Sequence, residues 1–134
     1  ARTPMQWDDS ENAGFTDGTP WIKVNDNYKE INAKSQVDDE NSIFNCYRQL
    51  IKFRKEYPVF VDGDFTLLLA DDENIFAYKR EYAGKSMVVV CNFYGRTIDM
   101  PLTEECKDME LLISNYAKGD EAVLRPYEAR IYMK

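Results

Sequence analysis

The sequence predicts a mainly β fold, an antiparallel β-sandwich preceded by one amphipathic helix and a long irregular N-terminal segment. Three features of its 134 residues predict this fold. From residue 58 onward, apolar residues follow a period of two, and turn residues recur about every 8–12 residues, as in antiparallel sandwiches. Residues 39–57 follow a helical period instead, and residues 1–37 follow neither period. An apolar content of 44% favours a globular fold.

The segment 1–37 mixes polar turn residues with large apolar ones. Irregular loops longer than about 15 residues are uncommon inside compact domains and are often functional. Pro4 and Gly14 indicate bends in the chain. An apolar side chain of this size gains about 1.5–3 kcal/mol when it is buried, so we expect the segment to lie across a neighbouring domain. Its large apolar residues are Met5, Trp7, Phe15 and Trp21.

A helix is predicted next, over residues 39–57 or so. Acidic and capping residues at 38–42 favour its start, and Pro58 ends it. A single helix cannot bury its own apolar stripe, so this stripe requires a partner surface. The stripe consists of Ile43, Tyr47, Leu50 and Ile51, with Phe44 at its edge.

The remaining sequence predicts about seven short strands. The stretch Met87–Cys91 is apolar on both faces, which is typical of a central strand. Turn residues separate it from its neighbours on both sides. The predicted strands are residues 64–69, 75–82, 85–92, 96–100, 109–114, 121–124 and 128–133.

Charge and composition exclude several classes of partner. The net charge is −7, and there is no basic stripe to neutralise phosphates, so nucleic acid is not a predicted partner. No apolar run approaches the roughly 18–20 residues that span a membrane, so no membrane partner is predicted either. The sequence has no histidine, no CxxC pair and no glycine-rich phosphate loop, so it predicts no metal and no cofactor. Three dispersed cysteines fit a cytoplasmic protein with free thiols.

Motifs throughout the chain point to one enzyme family. Near the start they are Arg2–Asp8, Asn12–Phe15 and Pro20–Ile22, and later Lys52–Lys55, Ile75–Tyr78, Leu111–Tyr116 and Leu124–Arg130. With these motifs the chain resembles the late part of the oligo-1,6-glucosidase and α-glucosidase branch of the α-amylase superfamily, glycoside hydrolase family 13. That branch includes dextran glucosidase and trehalose-6-phosphate hydrolase. The resemblance extends over essentially the whole chain.

The resemblance implies a division of the chain and an activity for its parent protein. Residues 1–57 would be the tail end of a (β/α)8 barrel, with a loop at 1–37 and the last barrel helix at about 39–57. Residues 58–134 would be the C-terminal β-sandwich, with a structural and stabilising role. The parent would be an exo-acting α-glucosidase that hydrolyses α-1,6 or short α-linked oligosaccharides, which it would bind through the missing barrel. The fragment alone is predicted to be inactive.

Arg2 is the one residue that the resemblance assigns to a substrate site. In the resembled enzymes, the arginine of this motif lies in the glucose pocket at the non-reducing end, paired with an aspartate from an early barrel loop. A guanidinium group suits this role because it holds hydroxyls and a carboxylate in fixed geometry. The alternative is that Arg2 is an ordinary surface arginine. Gln6, Trp7 and Trp21 are interpreted as residues that pack the loop.

No catalytic residue is predicted in this chain. Retaining glycosidases need two carboxylates about 5–5.5 Å apart, and the family's catalytic motifs are absent from the sequence. Adjacent carboxylates on loops are usually solvated faces or caps, and this is how the acidic pairs are interpreted. These pairs are Asp8-Asp9, Asp38-Asp39-Glu40, Asp71-Asp72-Glu73 and Glu104-Glu105.

An alternative function is an autonomous carbohydrate-binding β-sandwich module. Such modules usually carry a row of exposed aromatic residues. The strand periodicity assigns several of the available aromatics to the core instead, and neither tryptophan lies after residue 21. The candidates are Tyr78, Tyr82, Phe93, Tyr94, Tyr116, Tyr127 and Tyr132.

Overall fold

The computed structural model describes residues 2–117 and 119–134, which separate into two compact units. The first unit ends at Ile51 and the second begins at Lys52. The first unit contains 3₁₀ turns at Glu11–Gly14 and Asp26–Lys29 and the helix α1, Ala33–Val37. Helix α2, Ile43–Glu56, contributes residues to both units.

The first unit is largely irregular, but it contains helical pieces that the sequence did not indicate. Helix α1 forms because the side-chain oxygen of Asn32 accepts a hydrogen bond from the Ser35 N–H at 2.9 Å. Helix α2 begins at Ile43, four residues later than predicted. The residues before it form a turn instead, because the Asn45 side chain donates to the carbonyl oxygens of residues 36, 37 and 39 at 2.8–3.0 Å.

In the part of α2 that belongs to the first unit, the side chains of the apolar stripe are largely exposed to solvent. Ile43 is 71% exposed, Tyr47 is 65% exposed and Ile51 is 51% exposed. Trp21, in the irregular segment, is 84% exposed. Burial of side chains of this size is energetically favourable, so this surface suits contact with another polypeptide surface.

The second unit is the sheet domain, and it confirms the predicted mainly β, antiparallel fold. Its described residues form a five-stranded sheet in the order β1-β2-β3-β7-β5 and a two-stranded sheet of β4 and β6. Every pairing is antiparallel. The strands are β1 Asp64–Leu68, β2 Ile75–Tyr82, β3 Lys85–Asn92, β4 Ile98–Asp99, β5 Glu110–Ser114, β6 Val123–Leu124 and β7 Ala129–Met133.

Both faces of the five-stranded sheet have cores, because β3 is apolar on both sides. On one face, Val88 and Val90 cluster with Leu102 and Leu124, which belong to the region of α4 (Thr103–Cys106) and to β6. On the other face, Met87 and Val89 cluster with residues of α2 and of α3 (Val59–Asp62). The sheet is therefore covered by the smaller sheet on one side and by helices on the other, which is a sandwich-like arrangement.

All three cysteines are free thiols. Cys106 is buried, and Cys46 and Cys91 are half-buried. Burial raises the pKa of the Cys106 thiol to about 11, and burial also raises the pKa of Cys91. Both thiols are therefore poor nucleophiles at neutral pH.

None of the helices in residues 2–117 and 119–134 combines the length and the apolar character that crossing a membrane requires.

Leu124→Ala tests the smaller-sheet side of the core. Leu124 is fully buried, so its truncation is expected to lower the free energy of unfolding of the sheet unit by about 2–5 kcal/mol. Both tryptophans lie in the first unit, so hydrogen exchange of the β3 amides is the appropriate measurement. The control is Leu67→Ala, at a position 48% exposed, which is expected to cost less than about 1 kcal/mol. Equal costs for the two variants would contradict the assigned core.

Candidate functional site

The candidate site is the loop Arg2–Gly18, which is built around three consecutive residues in the left-handed region. Asn12, Ala13 and Gly14 have φ values of 53°, 58° and 64°. A non-glycine residue with positive φ is uncommon, and such residues concentrate at functional sites, where surrounding contacts hold them. Ala13 is fully buried at the centre of this turn.

Hydrogen bonds hold the turn in place. The Ala13 carbonyl accepts from the Trp7 N–H at 2.9 Å and from the Asp8 N–H at 3.3 Å. The side-chain amide of Asn12 donates to the carbonyl oxygens of Thr16 and Gly18 at 3.2 and 3.1 Å. The loop is thus closed by its own polar groups and has a defined shape without a large apolar core of its own.

Asp8 is a structural carboxylate of this loop. Its Oδ1 accepts from the Ser10 hydroxyl and from the Ser10 N–H, the latter at 2.9 Å. These two hydrogen bonds lower the pKa of Asp8, so the group is ionised and is unsuited to act as a general acid. A Cβ atom added at Gly14 would lie 2.7 Å from Asp8 Oδ1, so the carboxylate also packs closely against the turn.

Gln6 and Trp7 connect the loop to residues 27–34 of the same unit. The Gln6 carbonyl accepts from the Ala33 N–H at 2.8 Å, and the Trp7 carbonyl accepts from the Lys34 N–H at 2.9 Å. The Gln6 side-chain amide donates to Asn27 Oδ1 and to the Ile31 carbonyl. Gln6 therefore acts here as a packing residue of the loop, as its sequence context indicated.

Arg2 lies at the start of this anchored segment. It is exposed, and Pro4, two residues later, is buried. Trp7 is 53% exposed. A groove of about 550 Å³ adjoins the segment and is lined mainly by apolar residues, including Met5, Ile31 and Ile43. Such a lining suits contact with another polypeptide surface better than binding of a sugar, which requires several polar partners. The substrate role of Arg2 stays a prediction.

The acidic pairs in the rest of the chain form turns and surface contacts. Asp39 Oδ1 accepts from the Asn41 N–H at 2.9 Å, and Asp72 Oδ1 accepts from the N–H groups of Asn74 and Ile75 at 2.8 and 3.2 Å. Glu104 lies on the surface, 3.7 Å from Lys107 Nζ. Within the described residues, no three His, Cys, Asp or Glu side chains are grouped so that they could hold a metal ion.

The aromatic residues proposed for a sugar-binding surface have different environments. Tyr132 is buried, and the Tyr116 ring lies 4.3 Å from the Arg125 guanidinium carbon. Tyr127 is 64% exposed and has a positive φ of 56°. The seven candidates therefore do not have one common role.

A buried ion triad at Glu128 was missed by the sequence analysis. The Glu128 side chain is fully buried and accepts from Arg130 Nε at 2.8 Å and from Arg125 Nε and Nη2 at 3.0 Å. Burial opposes ionisation, but the hydrogen bonds from Arg125 and Arg130 outweigh it and lower the pKa of Glu128 to about 2. The corresponding sequence signal is the spacing Arg-x-x-Glu-x-Arg. This spacing indicates an ion triad only when the glutamate is known to be buried.

The triad is structural rather than catalytic. A carboxylic acid must hold a proton near neutral pH to act as a general acid, and the low pKa of Glu128 prevents this. Arg130 also donates to the carbonyl oxygens of Asp120 and Val123 at 3.0 and 2.6 Å. Arg125 donates to the Ala117 carbonyl at 2.8 Å. The triad therefore connects the start of β7 with the chain that precedes it.

Known proteins similar to this chain are carbohydrate-active enzymes. Residues 1–63 match the family model described as the alpha amylase catalytic domain. The chain is 52% identical to the oligo-1,6-glucosidase of Halalkalibacterium halodurans, over 99% of this chain and 25% of that protein. It is 42% identical to the trehalose-6-phosphate hydrolase of Bacillus subtilis, over 98% of this chain and 25% of that protein.

Solved structures agree with these matches. The trehalose-6-phosphate hydrolase of Bacillus licheniformis superposes with a TM-score of 0.90 and 42% identity, over 98% of this chain and 25% of that one. The trehalulose synthase of Pseudomonas mesoacidophila superposes with a TM-score of 0.86 and 37% identity, over 99% of this chain and 25% of that one. The chain spans about a quarter of the length of the relatives that it matches.

Gly14→Ala tests the left-handed turn. The added methyl group would meet Asp8 Oδ1 at 2.7 Å on a backbone with φ +64°, so we expect a local destabilisation of about 1–3 kcal/mol. Hydrogen exchange of the Trp7 and Ala13 amides measures it. The matched control is Gly18→Ala, where the new carbon would meet Thr16 Oγ1 at 3.7 Å. Unchanged exchange in the Gly14 variant would contradict a constrained turn.

Glu128→Gln tests the ion triad. At pH 7 we expect the free energy of unfolding to fall by about 3–5 kcal/mol, because two arginines lose their buried counter-charge. Urea denaturation followed by circular dichroism measures the loss. The control is Glu104→Gln, where the pair with Lys107 is exposed and its loss is expected to cost about 1 kcal/mol or less.

The triad also predicts a pH dependence. The pKa of Glu128 is lowered from 4.5 to about 2, so its contribution to stability is complete above pH 4.5 and is lost as the pH falls through 2. The stability difference between the wild-type chain and Glu128→Gln should therefore shrink over that range. A difference that stays constant from pH 7 to pH 2 would show that folding does not lower the pKa of Glu128.

Proposed function

The chain belongs to the α-amylase superfamily of glycoside hydrolases, and on this premise we propose that it is part of an exo-acting α-glucosidase. The proposed substrates are α-1,6-linked or short α-linked oligosaccharides. The observation that carries the proposal is the 52% identity to an oligo-1,6-glucosidase over 99% of the chain. The catalytic carboxylates would lie in the part of the enzyme outside this chain.

Arg2 is the residue through which this chain would contact substrate. Its guanidinium group can donate to sugar hydroxyls in a fixed planar geometry. The buried Pro4 and the backbone bonds of Gln6 and Trp7 support this role, because they anchor the segment that follows Arg2. The left-handed turn at Asn12–Gly14 restrains the same loop from its other end. Such restraint lowers the cost of placing Arg2 at the glucose.

The rest of the chain would have a supporting role. Residues 1–57 would complete the barrel, and residues 58–134 would form the stabilising sandwich. The exposed stripe of α2 and the apolar groove beside Met5 suit contact with the remainder of a barrel. We place the enzyme in the cytoplasm, since its three cysteines are free thiols.

The proposed activity can be tested with a chimera in which this chain replaces the matching quarter of the Halalkalibacterium halodurans oligo-1,6-glucosidase. The chimera is expected to hydrolyse isomaltose, whereas the 134-residue chain alone is expected to be inactive. Glucose release measures both. A folded chimera that releases no glucose would contradict the proposed activity.

Arg2→Lys in this chimera tests the substrate site. Lysine keeps the charge but loses the planar fork, so kcat/KM for isomaltose is expected to fall about 100-fold or more with little change in melting temperature. The matched control is Arg54→Lys, at an exposed position on α2, which is expected to keep full activity. An Arg2→Lys chimera as active as the control would contradict the assignment of Arg2.

A further inference from the structure

Four aromatic rings form a continuous line on one face of the five-stranded sheet. In order they are Phe65, Tyr78, Phe76 and Phe93, and we call them the aromatic row. The distances between successive ring centroids are 5.2, 5.7 and 6.3 Å. Phe65 is 57% exposed, Phe76 is 41% exposed and Phe93 is 64% exposed. Contiguous exposed apolar surface of this kind indicates an interaction site.

The same face of the sheet is already covered beside the aromatic row. Strand pairing places Tyr78 opposite Val89, and directly opposed residues of an antiparallel pair share a face. Val89 and Met87 are buried in a cluster with Phe53, Val59 and Phe60, at the end of α2 and in α3. The covered and the uncovered parts of this face are therefore neighbours.

The helical cover lies within the region that matches the alpha amylase catalytic domain, residues 1–63. Phe53, Val59 and Phe60 thus belong to the matched catalytic region and pack on the sheet. The relatives are about four times as long as this chain, so most of a catalytic domain lies outside it. That domain already covers part of this sheet face through its matched segment.

We propose that the aromatic row forms an interface with the remainder of the catalytic domain and packs against it. It would extend the contact that α2 and α3 make with Met87 and Val89 across to the edge strand β1. This inference rests on the proposed function, because it requires that the chain is part of a longer enzyme with a catalytic domain. It does not require that the enzyme hydrolyses any particular substrate. The surface that meets the row would be apolar and would supply aliphatic or aromatic side chains.

The chemistry of the row favours a polypeptide partner over a sugar. Phe65, Phe76 and Phe93 have no polar side-chain atom, and sugar sites combine apolar stacking with several hydrogen-bonding groups. The nearby Arg80, opposite Phe65 in the sheet, donates to the carbonyl oxygens of Val61 and Gly63 at 2.9 and 2.7 Å. Leu67, on the same face of β1, is 48% exposed. An exposed apolar edge strand is an aggregation hazard unless it is covered.

Thiol labelling of Phe93→Cys tests the interface. The three native cysteines are first replaced (C46A, C91A and C106A), and the variant is made both in the 134-residue chain and in the chimera described above. Labelling with a maleimide is expected to be at least about tenfold slower in the chimera, because reaction there requires opening of the interface. The control, Glu104→Cys in the same background, is expected to label equally in both proteins, since that side chain is 84% exposed on the opposite side of the sheet.

Three results would overturn the proposed interface. Equal labelling of Phe93→Cys in the folded chimera and in the isolated chain would show that the row is not covered. Protection in the isolated chain that increases with protein concentration would make a second copy the partner. Labelling of the chimera that is fast until isomaltose is added would make the row a sugar site.

A second substitution, Phe93→Ser, tests the interface through the melting temperature, which is expected to change differently in the chimera and in the isolated chain. Phe93→Ser should lower the melting temperature of the chimera and leave that of the isolated chain unchanged or raised, because only the chimera buries the ring. A chimera that folds but hydrolyses nothing would contradict the proposed activity alone, and both measurements on the row would still be informative. Equal shifts in the two proteins would contradict the interface.

Discussion

Burial of strand β3 on both faces is the constraint on which the sheet unit depends. Val88 and Val90 require the smaller sheet and α4 on one side, whereas Met87 and Val89 require α2 and α3 on the other. Part of the helical cover comes from residues that match the catalytic domain. The sheet therefore shares its core with that matched region, and a sandwich beginning at residue 58 would lose Phe53 from this core.

The first unit is held together differently. Its loop is closed by backbone and side-chain hydrogen bonds around Ala13, while large apolar side chains such as Trp21 and Ile43 are exposed. Local polar bonds determine the shape of the loop, and apolar surface remains available for a neighbouring domain. This division fits the proposed role, in which a preorganised loop presents Arg2 to substrate while the surrounding apolar surface contacts the barrel.

The Glu128 triad shows how charge contributes to the sheet unit. Burying a carboxylate is costly unless its partners satisfy it, and here two arginines donate to it. The same arginines donate to carbonyl groups at Ala117 and Asp120, so one buried charge orders the turn that leads into β7. The positive φ of Tyr127 lies within this ordered turn.

The sequence by itself determined the mainly β fold class, the resemblance to one enzyme family, and the approximate positions of helix α2 and of the strands. Strands β2 and β3 were predicted with the bounds that the structure shows, because alternation and a two-residue turn are local signals. Only the tertiary structure decided that β7 lies between β3 and β5, that Glu128 is enclosed by two arginines, and that four rings align on one face. These features depend on contacts between residues distant in sequence, which periodicity does not encode. The left-handed turn at Asn12–Gly14 was likewise hidden, since Ala13 at its centre has no intrinsic preference for this conformation and is held in it by hydrogen bonds from Trp7 and Asp8.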